Sequence, residues 1–573
     1  MNAFKTFFTH MPTDSGTAFV LVPHLDPTHQ SLMVDLLSHH TRMPVCEVTD
    51  GLAVEANRIY IIPPARYLSI HHAHLHLDLP PERHDVETAI DHFLRSLALD
   101  QQERAIGVIF SGTGSHGTIG LQAIKVGGGM TMVQAPDTAD YPYMPQSAIA
   151  TGTVDYILPP EDMPEVLTGY VQHAYVSGAW KPALQPETES ELFGRILALL
   201  RARTDYDFRS YRKNMLMRRV LRRMSLNHIN QLSEYHQLLR DNKEEVNDLF
   251  RDLLIGVTGF FREPEAFQVL EHTVVPTWIE RMDPDTPIRV WVPGCATGEE
   301  AYSIAILLIE PFSAAQKPFN LQIYATDIDD EALAFARRGI YPESIRADVS
   351  PERLQRFFTR TDSHFRINKQ VRESVVFAAQ NLISDAPFSK LDLISCRNLL
   401  IYLEPEVQQK LISLFHFALN EDGYLLLGSA ETVGRRQDLF EAVSKKWRVF
   451  KRIGPTRRDT IDFPIVHGFG RHSLLQPVTQ MTTRSGINFA ELTQRQLLLD
   501  YGPASALINR KHDILYFYGP TGDYLEPPTG EPTSDLIAMA RQGLRIRLRA
   551  ACHQAIQENR SVSDTSARVK RGG

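Results

Sequence analysis

Short apolar runs alternate with segments of helical period in two separate blocks of this sequence. In the first, TAFVLVPH (17–24), RIYIIPPA (58–65), AIGVIF (105–110) and TMVQA (131–135) read as buried strands. The stretches HQSLMVDLLSHHT and HDVETAIDHFLRSLAL between them read as helices. Such alternation implies parallel strands, because each crossover passes through a helix. The block closes near residue 178, and SGAWKPALQPETE follows as a linker with prolines. A purely helical stretch over 189–250 comes next. Alternation then resumes at IRVWVPG, LQIYATDID, VVFAAQN, LDLISCRN and GYLLLGS and ends near 454. The fold class expected is α/β and multidomain, with two doubly wound domains. The second carries the helical subdomain (189–250) ahead of a Rossmann-like core (251–454). Residues 455–488 read as a second linker. A short α+β segment covers 489–573, where ALINRKHDILYFYG reads as a hairpin and AELTQRQLLLDY as a helix.

Composition narrows the function classes. The net charge is −8, which gives no global attraction to nucleic acid. Cys46, Cys295, Cys396 and Cys552 are far apart with no CxxC pair, which argues against a zinc site or disulfide framework and fits a reducing cytoplasm. No apolar run approaches about 18 residues, so no membrane span is expected. The start, MNAFKTFFTHMPTDSG, lacks the apolar core of a signal peptide. His72, His74 and His76 are expected on one face of a strand, with an exposed face favoured over a metal site.

The segment IRVWVPGCATGEEAYSIAILL (288–308) is a strand, a tight turn and a helix. It is neither GxGxxG nor a Walker loop, but Gly294 and Gly298 leave room for a ligand against the backbone. Asp327 ends the next strand, where an acid can bond ribose hydroxyls. Together they suggest an adenosine-containing ligand.

The ordered set VTGFFRE (257–263), GCATGEEAYSIA (294–305), ATDID (325–329), AAQNL (378–382) and CRNLLIY (396–402) resembles the chemotaxis receptor methyltransferase family of the CheR type. The resemblance implies an enzyme that uses S-adenosyl-L-methionine (SAM) to methylate glutamates on chemoreceptor-type cytoplasmic helices. It implies SAM binding by Thr258, Arg262, Glu300, Asp327, Asn381, Leu382, Arg397 and Asn398, with Arg262 and Tyr402 as catalytic candidates. Gly256 departs from the family's usual polar residue. A glutamate is already ionised at neutral pH, its reference pKa being about 4.3, so alignment rather than base catalysis is the expected contribution. Upstream, residues 201–223 hold nine basic residues. Arg218, Arg219, Arg222 and Arg223 share a helix face apart from the stripe Met217, Val220, Leu221 and Met224, and are expected to dock an acidic receptor helix. A silent signalling scaffold built of the same domains is the alternative.

The first block resembles the CheB-type chemotaxis receptor methylesterase family through AFVLVPHLDPTHQSLMVDLLSHHTRMPV, IYIIPP and FSGTGSHGTIGLQAIKVGGG. That family hydrolyses glutamyl methyl esters with a Ser-His-Asp triad. His24 matches the histidine, and His116 stands where relatives carry the acid. The serine turn and its strand belong before FKTFFTHMP and are absent, so the expectation is a lost esterase activity and a sheet with an edge or gap. The segment from 489 resembles the start of a PAS-like sensor domain.

Overall fold

The computed structural model describes residues 2–23, 33–79, 88–178 and 186–455, apart from 255, 257, 282–285, 318, 362, 363, 435 and 437. It also describes short stretches between 505 and 562. Two compact units result, Met1–His467 and Gly468–Gly573.

In the first block, helix α1 (Asn2–His10) precedes strands β1 (Phe19–Leu21), β2 (Val45–Glu47) and β3 (Ile59–Ile61), which form a parallel sheet with β3 in the middle. Helix α2 (Ala89–Gln101), β4 (Ile106–Ile109), α3 (Thr118–Gly127), β5 (Met130–Gln134) and β6 (Tyr156–Leu158) follow. Strands β4, β5 and β6 form a second parallel sheet around β5. The central strands are buried, which is why they read as unbroken apolar runs. Aromatic edges tie the halves together: Phe4 and Phe7 of α1 meet the Phe110 ring at 5.2 and 5.7 Å, and Phe8 meets Phe19 at 5.3 Å. The histidine run is a hairpin rather than one strand. His72 and Ala73 take positive φ in its turn, between strands Tyr67–His71 and His74–Asp78, so His72 leaves the face expected for it.

Helices α4 (Pro186–Thr204), α5 (Lys213–Leu226), α6 (Leu232–Asp241) and α7 (Lys243–Leu253) form the helical subdomain. Its apolar residues join α1, β5 and the segment 163–176 in one continuous core, so the expected linker does not separate two cores.

The last part of this unit is a seven-stranded sheet. Its strands are β7 (Ile288–Pro293), β8 (Leu321–Asp327), β9 (Val375–Ala379), β10 (Leu391–Cys396), β11 (Leu419–Leu427), β12 (Phe440–Ser444) and β13 (Val449–Arg452). They lie in the order β9-β8-β7-β10-β11-β13-β12, with β13 antiparallel to both neighbours. Helix α8 (Glu299–Ala314) is buried along Ala301–Ile309, which explains why it is apolar all round. The order reverses between β7 and β10, and a crevice opens there at the carboxyl ends of the strands.

In the second unit, Ser505–Ile508 and Ile514–Tyr518 pair as the expected antiparallel hairpin, and helices Leu536–Met539 and Arg545–Glu558 follow. The AELTQRQLLLDY helix lies outside the described residues.

Candidate cofactor pocket at the strand switch point

The turn after β7 is fixed by β8. The amides of Gly294 and Cys295 both donate to the Thr326 carbonyl, at 2.7 and 3.0 Å. The amide of Ala296 donates to Asp327 Oδ2 at 2.7 Å. Gly298 has φ +93°, and a Cβ there would lie 2.8 Å from that of Ala336, so only glycine fits. Asp327 Oδ1 accepts from the amides of Ile328 and Asp329 at 2.7 and 3.0 Å. A carboxylate offers about four acceptor sites, so one remains for a ligand. Burial pushes this carboxyl above its ordinary range despite those amides.

Arg397 organises the opposite wall. Its side chain is fully buried. It donates to the Arg262 carbonyl at 2.6 Å, to Glu263 Oε2 at 2.8 Å and to Glu300 Oε2 at 3.4 Å. Its guanidinium also sits 5.2 Å from the Phe267 ring centroid. Glu300 accepts from Ser395 Oγ at 2.6 Å, and burial raises its pKa. Burial works against Glu263 too, yet bonds from Ser429 and Arg397 leave its carboxyl below the ordinary value. Glu431 holds the next loop, accepting from the amides of Gly428 and Asn398 at 2.7 and 3.0 Å. Phe261, Glu263, Ala296 and Asn398 all take left-handed φ, of 50, 59, 46 and 57°. Each such residue costs about 1–3 kcal/mol, and such strain clusters at ligand sites.

Thr258, Arg262, Glu300, Asp327, Asn381, Leu382, Arg397, Asn398 and Tyr402 line this one pocket. So does Gly256. Sequence reasoning missed the roof: Tyr211, Met215 and Arg219 also line it. Met215 and Arg219 are four residues apart on one face of α5, which was the available signal, whereas Tyr211 precedes the helix in extended backbone. A short bridge between Tyr211 and Leu403 seats the helical subdomain here, and the Arg212 amide donates to the Tyr402 carbonyl at 2.9 Å. Beside the pocket, and sharing Met215, Arg219 and Tyr402 with it, lies a cleft of about 530 Å³. Arg212, Lys213 and Arg218 line it from the helical subdomain, and Gly128 and Tyr175 line it from the first block.

The expected four-arginine docking face is corrected. Arg222 is fully buried and pairs with Asp155 and Asp252. Lys125 joins the same carboxylates at 3.1 and 3.2 Å. Arg223 pairs with Glu245 and Asp248 at 2.5 and 3.0 Å. Arg219 donates to the carbonyls of Lys125 and Val126 at 3.0 and 2.8 Å, at the negative end of the α3 dipole. Arg218 stays half exposed beside Glu103, 3.1 Å away. A seam with the first block and the subdomain's own acids use these charges, which helical periodicity alone could not reveal.

In the first block, His116 sits half-buried in the glycine turn that starts α3. Asp91 anchors this turn, accepting from the amides of Gly117 and Gly120 at 3.0 and 2.9 Å. Gly117 has φ +82°, and a Cβ would meet Ile109 at 2.4 Å. His24 lies outside the described residues.

Comparison with known proteins matches three family models. CheB methylesterase covers residues 1–167, the all-alpha domain of CheR methyltransferase 191–254, and the CheR SAM binding domain 256–449. An uncharacterized 104.1 kDa protein in the hypE 3′ region of Rhodobacter capsulatus is 33% identical over 528 residues, which are 88% of this chain. The chain spans 55% of that protein's length. The chemotaxis protein methyltransferase of Escherichia coli K12 is 32% identical over 260 residues, covering 43% of this chain and 86% of the relative. The methylesterase catalytic domain of Thermotoga maritima CheB aligns at 27% identity, covering 29% of this chain and 90% of that structure, with a TM-score of 0.28. The chain therefore belongs to the CheR methyltransferase family, with a CheB methylesterase domain ahead of its two CheR domains.

Proposed function

We propose that this chain transfers a methyl group from SAM to glutamate side chains on the cytoplasmic helices of chemoreceptor-type proteins. One observation carries the reading: residues from separate stretches of sequence, singled out by resemblance, line a single pocket at the strand switch point. Their chemistry suits the cofactor. Asp327 keeps one acceptor site for a ribose hydroxyl. Glu300 and Arg397 offer paired charges to an amino-acid end, and Asn381 and Leu382 border the base. When bound, SAM supplies a methyl group made electrophilic by its sulfonium.

The chain's own residues then align the acceptor. Arg262, exposed at the rim, holds the incoming carboxylate through its fork of donors. Tyr402 orients one oxygen by a hydrogen bond. The acceptor carboxylate is ionised at neutral pH, so no residue is needed as base. Alignment of this kind is worth up to about 7–11 kcal/mol. The cleft lined by Arg212, Lys213 and Arg218 suits an acidic receptor helix and replaces the four-arginine face first expected. Such a substrate places the chain in the cytoplasm.

The first block is proposed to act without ester hydrolysis, because an imidazole, His116, stands where the triad needs a carboxylate. Hydrolysis of a methylated receptor fragment by the purified chain, lost in His24→Ala, would overturn that. Calorimetry tests the main reading. SAM is expected to bind the full chain stoichiometrically and much more weakly to Asp327→Ala or Arg262→Ala. Equal binding by the variants, or no heat with folded wild type, contradicts it.

A further inference from the structure

The run KVGGG (125–129) carries the end of α3 against the helical subdomain. Gly128 has φ +91°, and a Cβ there would lie 2.8 Å from the Tyr175 hydroxyl. A Cβ at Gly129 would lie 2.2 Å from the Ala105 carbonyl oxygen, so only glycines let the chain come this close. A helix leaves its last carbonyls short of partners, and two arginines of α5 answer them here. Arg219 donates to those of Lys125 and Val126, and Arg222 donates twice to that of Gly129, at 3.0 and 2.9 Å. The end of α3 is thereby fixed to the helix that roofs the cofactor pocket.

That attachment makes Val126, Gly128 and Tyr175 part of the lining of the 530 Å³ cleft. Arg219 and Tyr402 belong to both the cleft and the cofactor pocket, so a segment seated in the cleft lies beside the pocket. Four cations, Arg212, Lys213, Arg218 and Arg219, line the cleft against one carboxylate, Glu404, which favours an acidic occupant. One turn of α-helix with its side chains, about 11 Å wide and 5.4 Å long, takes up roughly 500 Å³, which matches the space. Val126 is half-buried yet belongs to none of the apolar cores among the described residues, so an occupant that covers it removes apolar surface from water. We propose that the CheB-type block serves the methyltransferase as part of its acceptor site. The acidic helical turn that carries the acceptor glutamate packs on Val126, beside the Gly128 and Tyr175 pair, while the cations of the helical subdomain hold its charges. The inference rests on the proposed transfer to chemoreceptor glutamates and gives the first block a share in choosing the acceptor.

The test measures methyl transfer by the full chain from labelled SAM to a chemoreceptor cytoplasmic fragment. Val126→Glu puts a carboxylate among the cations and should raise KM for the fragment at least fivefold, with kcat and SAM affinity within twofold of wild type. Val126→Lys, of similar length and opposite charge, should not raise it. The proposal is overturned if Val126→Glu leaves KM unmoved, if SAM affinity falls as far as KM rises, or if Val126→Lys raises KM equally. Should Val126→Glu misfold, the unaltered chain decides. Fragments carrying benzoylphenylalanine at successive positions of the turn before the acceptor glutamate are irradiated with it in the presence of S-adenosylhomocysteine. Crosslinks within 126–129 or at Tyr175 are expected, and crosslinks confined to residues beyond 189 overturn the proposal. No transfer by wild type overturns the methyltransferase reading and this inference with it, whereas transfer with an unmoved KM in Val126→Glu overturns this inference alone.

Discussion

Asp327 and Arg397 show how single residues set the chemistry of the pocket. Three backbone amides hold Asp327, and burial raises its pKa, as burial also raises that of Glu300. A ligand that bonds their ionised forms competes with protons. SAM affinity should therefore weaken as pH falls from 8 toward 5, starting above the ordinary carboxylate range. Calorimetry across that interval checks it, and a flat profile would contradict it. Asp327→Asn should lower affinity by roughly 10- to 100-fold, the worth of a hydrogen bond to a charged group, about 1.5–3 kcal/mol. Glu299 behaves differently: it is not among the residues that line the pocket, and it accepts from Thr297 Oγ1 at 2.7 Å. Burial pushes its pKa from 4.5 up to about 7. The folded state thus holds the proton more tightly, so this contribution is full below 4.5 and lost as pH rises through about 7. Urea midpoints at pH 5 and 8 should differ less in Glu299→Gln than in wild type.

At the scale of elements, the turn between β7 and α8 was legible because its glycines and the acid after β8 are local signals. Gly298→Ala should cost about 1–3 kcal/mol for the strained φ alone, with the Ala336 clash added, and lower the Tm. An unchanged Tm would mean that the turn relaxes freely. Helix α5 was legible only in part. Its apolar stripe predicted burial of Val220 and Met224, and both are buried. Its arginines are a different matter, because their partners come from distant sequence: Asp155 lies 67 residues before Arg222 and Asp252 lies 30 after it. The roof residues Tyr211, Met215 and Arg219 escaped notice for the same reason, since the pocket they cover is built by strands far downstream.

At the scale of the whole first unit, the CheB-type block and the helical subdomain share one core and one buried charge cluster. Burial opposes the ionised forms of Asp155 and Asp252, yet Arg222 and Lys125 hold both carboxyls below the ordinary range. Arg222→Met leaves two buried carboxylates short of a partner and should cost about 3–5 kcal/mol. Fluorescence and circular dichroism should also report a single unfolding transition for both blocks. Two separated transitions would show that the shared core does not couple them. Arg219 extends this seam to the cofactor pocket, since the carbonyls that hold it belong to α3 of the CheB-type block. The central claim remains methyl transfer to glutamate. The most direct measurement incubates the full chain with methyl-tritiated SAM and a chemoreceptor cytoplasmic fragment, then counts volatile methanol released by base. Label should be released from the fragment, fall at least tenfold with Arg262→Ala, and vanish when the acceptor glutamates are changed to alanine. Label that is base-stable, or that persists without those glutamates, would contradict the account.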